Sequence, residues 1–133
     1  MGILDRQITA LIVDDVADIR DVIIQQLAQV SINCVGASDG EEAILVLKKQ
    51  SIDLVITDLA MPKMNGFELL RRMKMKGFDI PTFVLTGHAD KTVAQQLKVF
   101  GIRAFINKPW AWEDLAPLVE KVVQEIRAKK AVS

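Results

Sequence analysis

Ile8-Thr9-Ala10-Leu11-Ile12-Val13-Asp14-Asp15 is the stretch that decides the fold. A short apolar run without polar alternation has the character of a strand covered on both faces. It ends on two carboxylates. The following stretch, Val16 to Val30, places Ile19, Val22, Ile23, Leu27 and Val30 at helical spacing. The order strand, acidic loop, helix thus appears at the very start of the chain.

Four further runs share that strand character: Ile32 to Val35, Leu54 to Thr57, Thr82 to Leu85 and Ala104 to Ile106. Pro81 stands at the start of the fourth, a place a strand tolerates proline. Amphipathic stretches separate them. The second follows Ser38-Asp39-Gly40 and carries Ala43, Ile44 and Leu47. The third follows Asn65-Gly66 and carries Phe67, Leu70 and Met73. The fourth opens near Asp90, carries Val93, Leu97 and Phe100, and stops at Gly101, a helix-ending residue. The last runs from Trp112 to Ile126 on Leu115, Leu118, Val119, Val122 and Ile126.

Fivefold alternation predicts an α/β fold, a three-layer (βα)5 doubly wound parallel sheet; right-handed crossovers leave a few topologies, of which the flavodoxin-like strand order 2-1-3-4-5 is the commonest and is the one expected. The 133 residues read as one domain, with a core from about 8 to 126 and flexible ends at 1–7 and 128–133. Half of the residues are hydrophobic, enough for one packed core. No run approaches the roughly 20 apolar residues of a membrane helix, so no membrane association is expected. The first residues lack the apolar segment of a secretory signal. Cys34 is the one cysteine and cannot close an internal disulfide, which agrees with a cytoplasmic protein. Seventeen basic and seventeen acidic residues cancel. A nucleic-acid-binding domain ordinarily carries a basic excess, so none is expected to be bound here.

In a parallel sheet the residues just after each strand meet along one edge, and ligands bind where the strand order reverses. Asp14 and Asp15 follow the first strand, Asp58 the third, Thr86 the fourth and Lys108 the fifth. Taken singly, each has a plainer reading: a helix cap or turn for an Asp, a loop cap for Thr86, a solvated amine for Lys108. Together they converge. Crowded carboxylates repel unless a cation intervenes, and Mg²⁺ suits carboxylates, a carbonyl and waters. A carboxylate on the crevice floor can attack phosphorus while cations offset the incoming charge.

The set Val13-Asp14-Asp15, Thr57-Asp58-Leu59-Ala60-Met61-Pro62-Lys63-Met64-Asn65-Gly66, Leu85-Thr86-Gly87 and Asn107-Lys108-Pro109 resembles the receiver signature of two-component response regulators. The resemblance extends from about residue 8 to 126. It implies that Asp58 is the phosphoacceptor. Asp15, Asp58 and the backbone carbonyl of Ala60 would hold Mg²⁺, for which Mn²⁺ could substitute, and Asp14 would act on it through water. Lys108 would pair with the phosphoryl group. Thr86 would move toward a phosphoryl oxygen, and Phe105 would be the aromatic that turns inward with it. Lys108-Pro109 is implied to be cis. The phosphoryl donor would be a sensor histidine kinase or a histidine phosphotransfer protein. An output domain in a longer protein and a phosphorylation-dependent dimer are both compatible with the chain. Any catalysis would be self-directed: taking its own phosphoryl group and losing it by hydrolysis.

On bare sequence Phe105 is equally a core residue. Ala60 and His88 occupy the positions that, in this family, flank the hydrolytic water; His88 reads as structural or solvated, too isolated to ligate a metal. Trp110 and Trp112 read either as interface anchors or as helix-start packing. Met61, Met64, Met73 and Met75 read as core and loop filler. The alternative is a receiver-like, phosphorylation-independent protein-binding module, which would predict a damaged pocket. A flavodoxin would need a Ser/Thr/Gly-rich loop after the first strand, and a P-loop nucleotidase its Gly-Lys-Ser/Thr motif; neither is present. An aspartate-based phosphatase would place its nucleophile after the first strand with another Asp two residues on.

Overall fold

The computed structural model describes residues 7–87 and 90–132. Ten elements alternate through it. The strands are β1 (Ile8–Val13), β2 (Ile32–Ala37), β3 (Leu54–Thr57), β4 (Thr82–Thr86) and β5 (Ala104–Asn107). The helices are α1 (Ala17–Ala28), α2 (Gly40–Lys49), α3 (Gly66–Met75), α4 (Lys91–Lys98) and α5 (Trp112–Val132). One parallel sheet has the order β2-β1-β3-β4-β5, the order expected from the alternation. Central β3 and β4 are buried at every position, which is why their sequences do not alternate.

The apolar side chains divide over the two faces of the sheet. One cluster joins Ile12, Ile56, Phe83 and Leu85 to α1 and α5 through Ile23, Leu27, Leu115 and Val119. On the other face, Leu11, Val13 and Val55 meet α2 and α3 through Ala43, Leu47, Leu69 and Met73. A third, smaller cluster gathers Leu59, Leu70, Val84 and Leu97, with Phe105 half-buried against it. Local signals fix where α2, α3 and α4 begin. Asp39, Asn65 and Asp90 each accept a backbone N–H three residues on, from Glu42, Glu68 and Val93. Asp39→Ala should therefore cost about 1 kcal/mol in urea-melt stability, the usual cost of removing such a cap; an unchanged midpoint would mean water replaces it without loss.

Several details depart from the sequence reading. Val22 and Val30, expected on the buried face of α1, are 46% exposed. Ile23 and Leu27 are buried and Ile19 leans on the core as expected, while Ile24 rather than Val22 joins them, so the buried face is rotated by part of a turn. Met64 and Met73 are core, but Met75 is 71% exposed and its sulfur accepts a guanidinium N–H from Arg71. Helix α5 continues to Val132, past Ala128 where a flexible end was expected; residues 1–6 of the other expected flexible end lie outside the described residues. Among the described helices none is long and apolar enough to cross a membrane.

Cys34 is half-buried on β2, and desolvation pushes its thiol up to about 11. Against the ordinary 9.0 this leaves about a hundredfold less thiolate at about pH 8. Iodoacetamide should accordingly modify the folded protein far more slowly than the urea-unfolded chain; equal rates would refute the burial. Stability contributed by the neutral thiol is present below pH 9.0 and lost as pH rises toward 11.

Candidate functional site

The site is built at the ends of the paired strands β1 and β3, where the chain leaves β1 for α1 on one face of the sheet and leaves β3 for α3 on the other. Val13 pairs with Thr57 in register, so the residues after them, Asp14 and Asp58, emerge side by side. Their backbones are tied to the neighbouring strands: Asp14 N–H donates to the Ala37 carbonyl at 3.1 Å and Asp58 N–H to the Val13 carbonyl at 3.0 Å. Asp15 follows on the exposed side. Carboxylate oxygens of Asp14, Asp15 and Asp58 all lie within 4.8 Å of one another. Asp14 and Asp58 are buried, at 2% and 8% exposure, so their charges need partners.

Those partners are specific. Lys108 Nζ donates to Asp14 Oδ2 at 2.5 Å and to Asp58 Oδ2 at 2.9 Å. Burial alone would lower the Lys108 pKa, but its hydrogen bonds to the two carboxylates, with their charges, outweigh burial and hold it above the ordinary lysine value. The ammonium therefore stays charged throughout the physiological range. The other Asp58 oxygen, Oδ1, accepts the Leu59 N–H at 2.7 Å and the Ala60 N–H at 3.4 Å. Asp14 Oδ1 accepts the Val16 N–H at 2.9 Å, which caps the approach to α1. One lysine thus faces a group of three carboxylates. An excess of negative charge at a crevice, presented only by oxygen donors, fits a hard divalent cation such as Mg²⁺.

Thr86 ends β4 with no exposed surface, and its carbonyl accepts the Lys108 backbone N–H at 2.9 Å. Phe105 pairs with Val84 across the β4–β5 ladder and packs half-buried on the cluster of Leu59, Leu70 and Leu97. Lys108-Pro109 is cis. Ala60 is exposed at the rim. The residues singled out from the sequence at Asp14, Asp15, Asp58, Thr86 and Lys108 are therefore brought to one edge. His88 lies outside the described residues.

Two contributions, from Arg20 and Gly66, were not read from the sequence, and the partner of a third residue, Trp110, was not. Arg20, in the first turn of α1, donates from Nη1 to the Asp14 carbonyl at 2.6 Å. Gly66 seats the start of α3 directly on Asp58: a Cβ there would stand 2.3 Å from the Asp58 carbonyl oxygen and 2.8 Å from Leu59 Cα. The Gly66 N–H completes the contact by donating to the Leu59 carbonyl at 2.9 Å. Trp110 and Trp112, expected as interface anchors or as helix-start packing, lie half-buried on the α1/α5 core, and the Trp110 indole N–H donates to Gln26 Oε1 at 3.0 Å. An Asn-Gly pair before a helix signals a cap and a turn, so of Arg20 and Gly66 only Gly66 carried a sequence signal.

Comparison with known proteins gives a consistent result. Residues 10–120 match the family model described as the response regulator receiver domain. The sensor histidine kinase RcsC of Salmonella typhi is 30% identical over 91% of this chain, which spans 13% of that protein's length. A response regulator receiver protein from Pseudomonas putida superposes with a TM-score of 0.83 at 34% identity, covering 87% of this chain and 98% of the other. The chemotaxis response regulator CheY4 of Vibrio cholerae superposes with a TM-score of 0.81 at 28% identity, covering 88% and 99%.

Proposed function

The chain belongs to the response regulator receiver family of two-component signalling, and on that premise we propose that it is a switch that takes a phosphoryl group on Asp58. The observation that carries the reading is the pairing of Lys108 with both Asp14 and Asp58 beside the Asp15 carboxylate. In it, a nucleophile, a fixed cation and a hard-metal donor set share one edge. Asp14, Asp15, Asp58 and the backbone carbonyl of Ala60 are the residues that would hold Mg²⁺, with Mn²⁺ as a substitute. When bound, the ion supplies charge neutralisation for the incoming phosphoryl oxygens.

The chain's own groups do the rest. An Asp58 carboxylate oxygen attacks phosphorus of a phosphohistidine. The P–O bond of an acyl phosphate forms as the P–N bond breaks, and the leaving imidazole keeps the electron pair and takes a proton. Lys108 exchanges part of its contact with the carboxylates for a phosphoryl oxygen. The Leu59 and Ala60 N–H groups keep the Asp58 carboxyl oriented. Loss of the group follows the same chemistry: water attacks phosphorus and returns the carboxylate. Ala60 offers no polar side chain to hold that water.

The same reading makes Thr86 and Phe105 the transmitting pair. A phosphoryl group adds nearly two negative charges and new acceptor oxygens close to the end of β4. Thr86 contacts them in one state only, and that difference biases the packing around Phe105, Val84 and Leu97. The changed α4/β5 surface would then act on an output domain or partner, or support a dimer. The donor is a sensor histidine kinase or a histidine phosphotransfer protein, and the setting is cytoplasmic. The similarity to RcsC, a sensor histidine kinase by name, supports the histidine-kinase system as the source of the phosphoryl group. A phosphorylation-independent binding module is the alternative, and the full set of acidic and basic groups favours the phosphoacceptor over it.

Intact mass after incubation with acetyl phosphate and MgCl2 tests the reading. One added phosphoryl group is expected, and EDTA should abolish the gain. A folded protein that gains no mass with any small donor or kinase would instead be a binding module.

A further inference from the structure

We infer that Trp110 and Gln26 form a tether that positions Lys108 for phosphoryl transfer, an inference that rests on the proposed function. The lysine is two residues from Trp110 in the loop between β5 and α5. Its side chain is a long, flexible stem, so its aim depends on where the loop holds its Cα. On one side the loop is fixed by the Lys108 N–H donating to the Thr86 carbonyl at 2.9 Å. On the other side Trp110 holds it. The indole lies against the cluster of Ile23, Leu27, Leu115 and Val119, and its N–H reaches across to Gln26 Oε1 at 3.0 Å.

The two partners sit on the elements that carry the reacting groups. Gln26 is on α1, whose approach is pinned by Asp14 through the Val16 N–H and whose Arg20 grips the Asp14 carbonyl. Trp110 belongs to the segment that delivers Lys108 to Asp14 and Asp58. The indole–amide bond therefore closes a ring: Asp14, α1, Gln26, Trp110, Lys108 and back to Asp14. An aromatic side chain is large and has few rotatable bonds, so seating it fixes the loop at low entropic cost. A half-buried indole N–H that lost its acceptor would favour a shifted ring, and small misplacements of a charge that acts in the transition state are felt in the rate. Trp110 and Gln26 are positioning residues; neither need touch the phosphoryl group.

Initial rates of phosphorylation by acetyl phosphate, followed by intact mass at saturating Mg²⁺, should separate this from a purely structural role. Trp110→Phe and Gln26→Leu should each lower the maximal rate by about fivefold with the half-saturating donor concentration unchanged. The double variant should be no slower than either single one, and Gln26→Glu, which keeps an acceptor, should recover the rate to within about twofold. Wild-type maximal rates in both single variants, or losses that multiply in the double variant, would overturn the tether. A second readout needs no phosphoryl transfer. In a Trp112→Phe background, titration with MgCl2 should shift the emission of Trp110, and Gln26→Leu should abolish the shift. A Trp112→Phe protein that shows the Gln26-dependent shift but takes no phosphoryl group would sink the proposed function while keeping Trp110 and Gln26 as the tether of the Lys108 loop. A phosphorylated wild type whose emission and rate ignore Gln26 would sink the tether alone.

Discussion

Asp58→Asn is expected to lose phosphorylation outright, with the rate down by on the order of a thousandfold or more. The substitution removes the nucleophile, together with one negative charge of the acidic group and the Lys108 partner at Oδ2, while leaving the backbone contacts in place. The amide oxygen introduced in place of Oδ1 can still accept the Leu59 N–H, as the carboxylate does at 2.7 Å, so the end of β3 keeps its geometry. What the amide cannot do is accept from Lys108, because its nitrogen is itself a donor where Asp58 Oδ2 now lies 2.9 Å from the ammonium. Lys108 keeps Asp14. Intact mass with acetyl phosphate, alongside circular dichroism to show an unchanged fold, reads the result. A variant that still gains one phosphoryl group would place the acceptor elsewhere, with Asp14 and Asp15 the first residues to substitute.

Gly66→Ala is expected to damage fold and site together. The added Cβ would meet the Asp58 carbonyl oxygen at 2.3 Å and Leu59 Cα at 2.8 Å. Both are backbone, just past the end of a strand buried at every position, and neither can swing aside like a flexible side chain. Overpacking of that kind costs typically up to about 3 kcal/mol, and a clash with fixed backbone belongs at that end. Helix α3 would have to retreat, and the Gly66 N–H would lose its 2.9 Å bond to the Leu59 carbonyl. Since Leu59 also donates to Asp58 Oδ1, the acceptor would lose its aim. Stability to urea and the acetyl phosphate rate should fall together. An alanine variant of native stability would mean that the α3 start is looser than these contacts require.

Much of this was legible in the chain. The apolar runs at Ile8, Leu54 and Thr82 do not alternate because their strands are covered on both faces, and that alone implies a parallel sheet with helices on each side. Asp39, Asn65 and Asp90 announce three helix starts because capping is a local hydrogen bond over three residues. The acidic residues at the strand ends followed from topology: parallel strands deliver their following residues to one edge. The face that α1 buries was less legible. Val22 and Ile23 are both apolar at adjacent positions, and only the angle at which the helix meets the sheet and α5 selects Ile23. Continuation of α5 to Val132 had no cap or breaker in the sequence to mark it.

Sequence by itself determined the fold class and the identity of the charged groups at one edge, and it narrowed the strand order to a few cases, of which the commonest is the one found. Each of these rests on periodicity, on capping over a few residues, or on the rule that parallel strands share a direction. Only the tertiary structure decided that one ammonium bridges Asp14 and Asp58, that Gly66 stands on the acceptor's own carbonyl, and that Trp110 reaches Gln26. The two Lys108 pairs and the Trp110 bond join residues 94, 50 and 84 positions apart along the chain. No local pattern encodes such pairs, because their distances are set by how the helices pack on the sheet, and that packing is a property of the whole core at once.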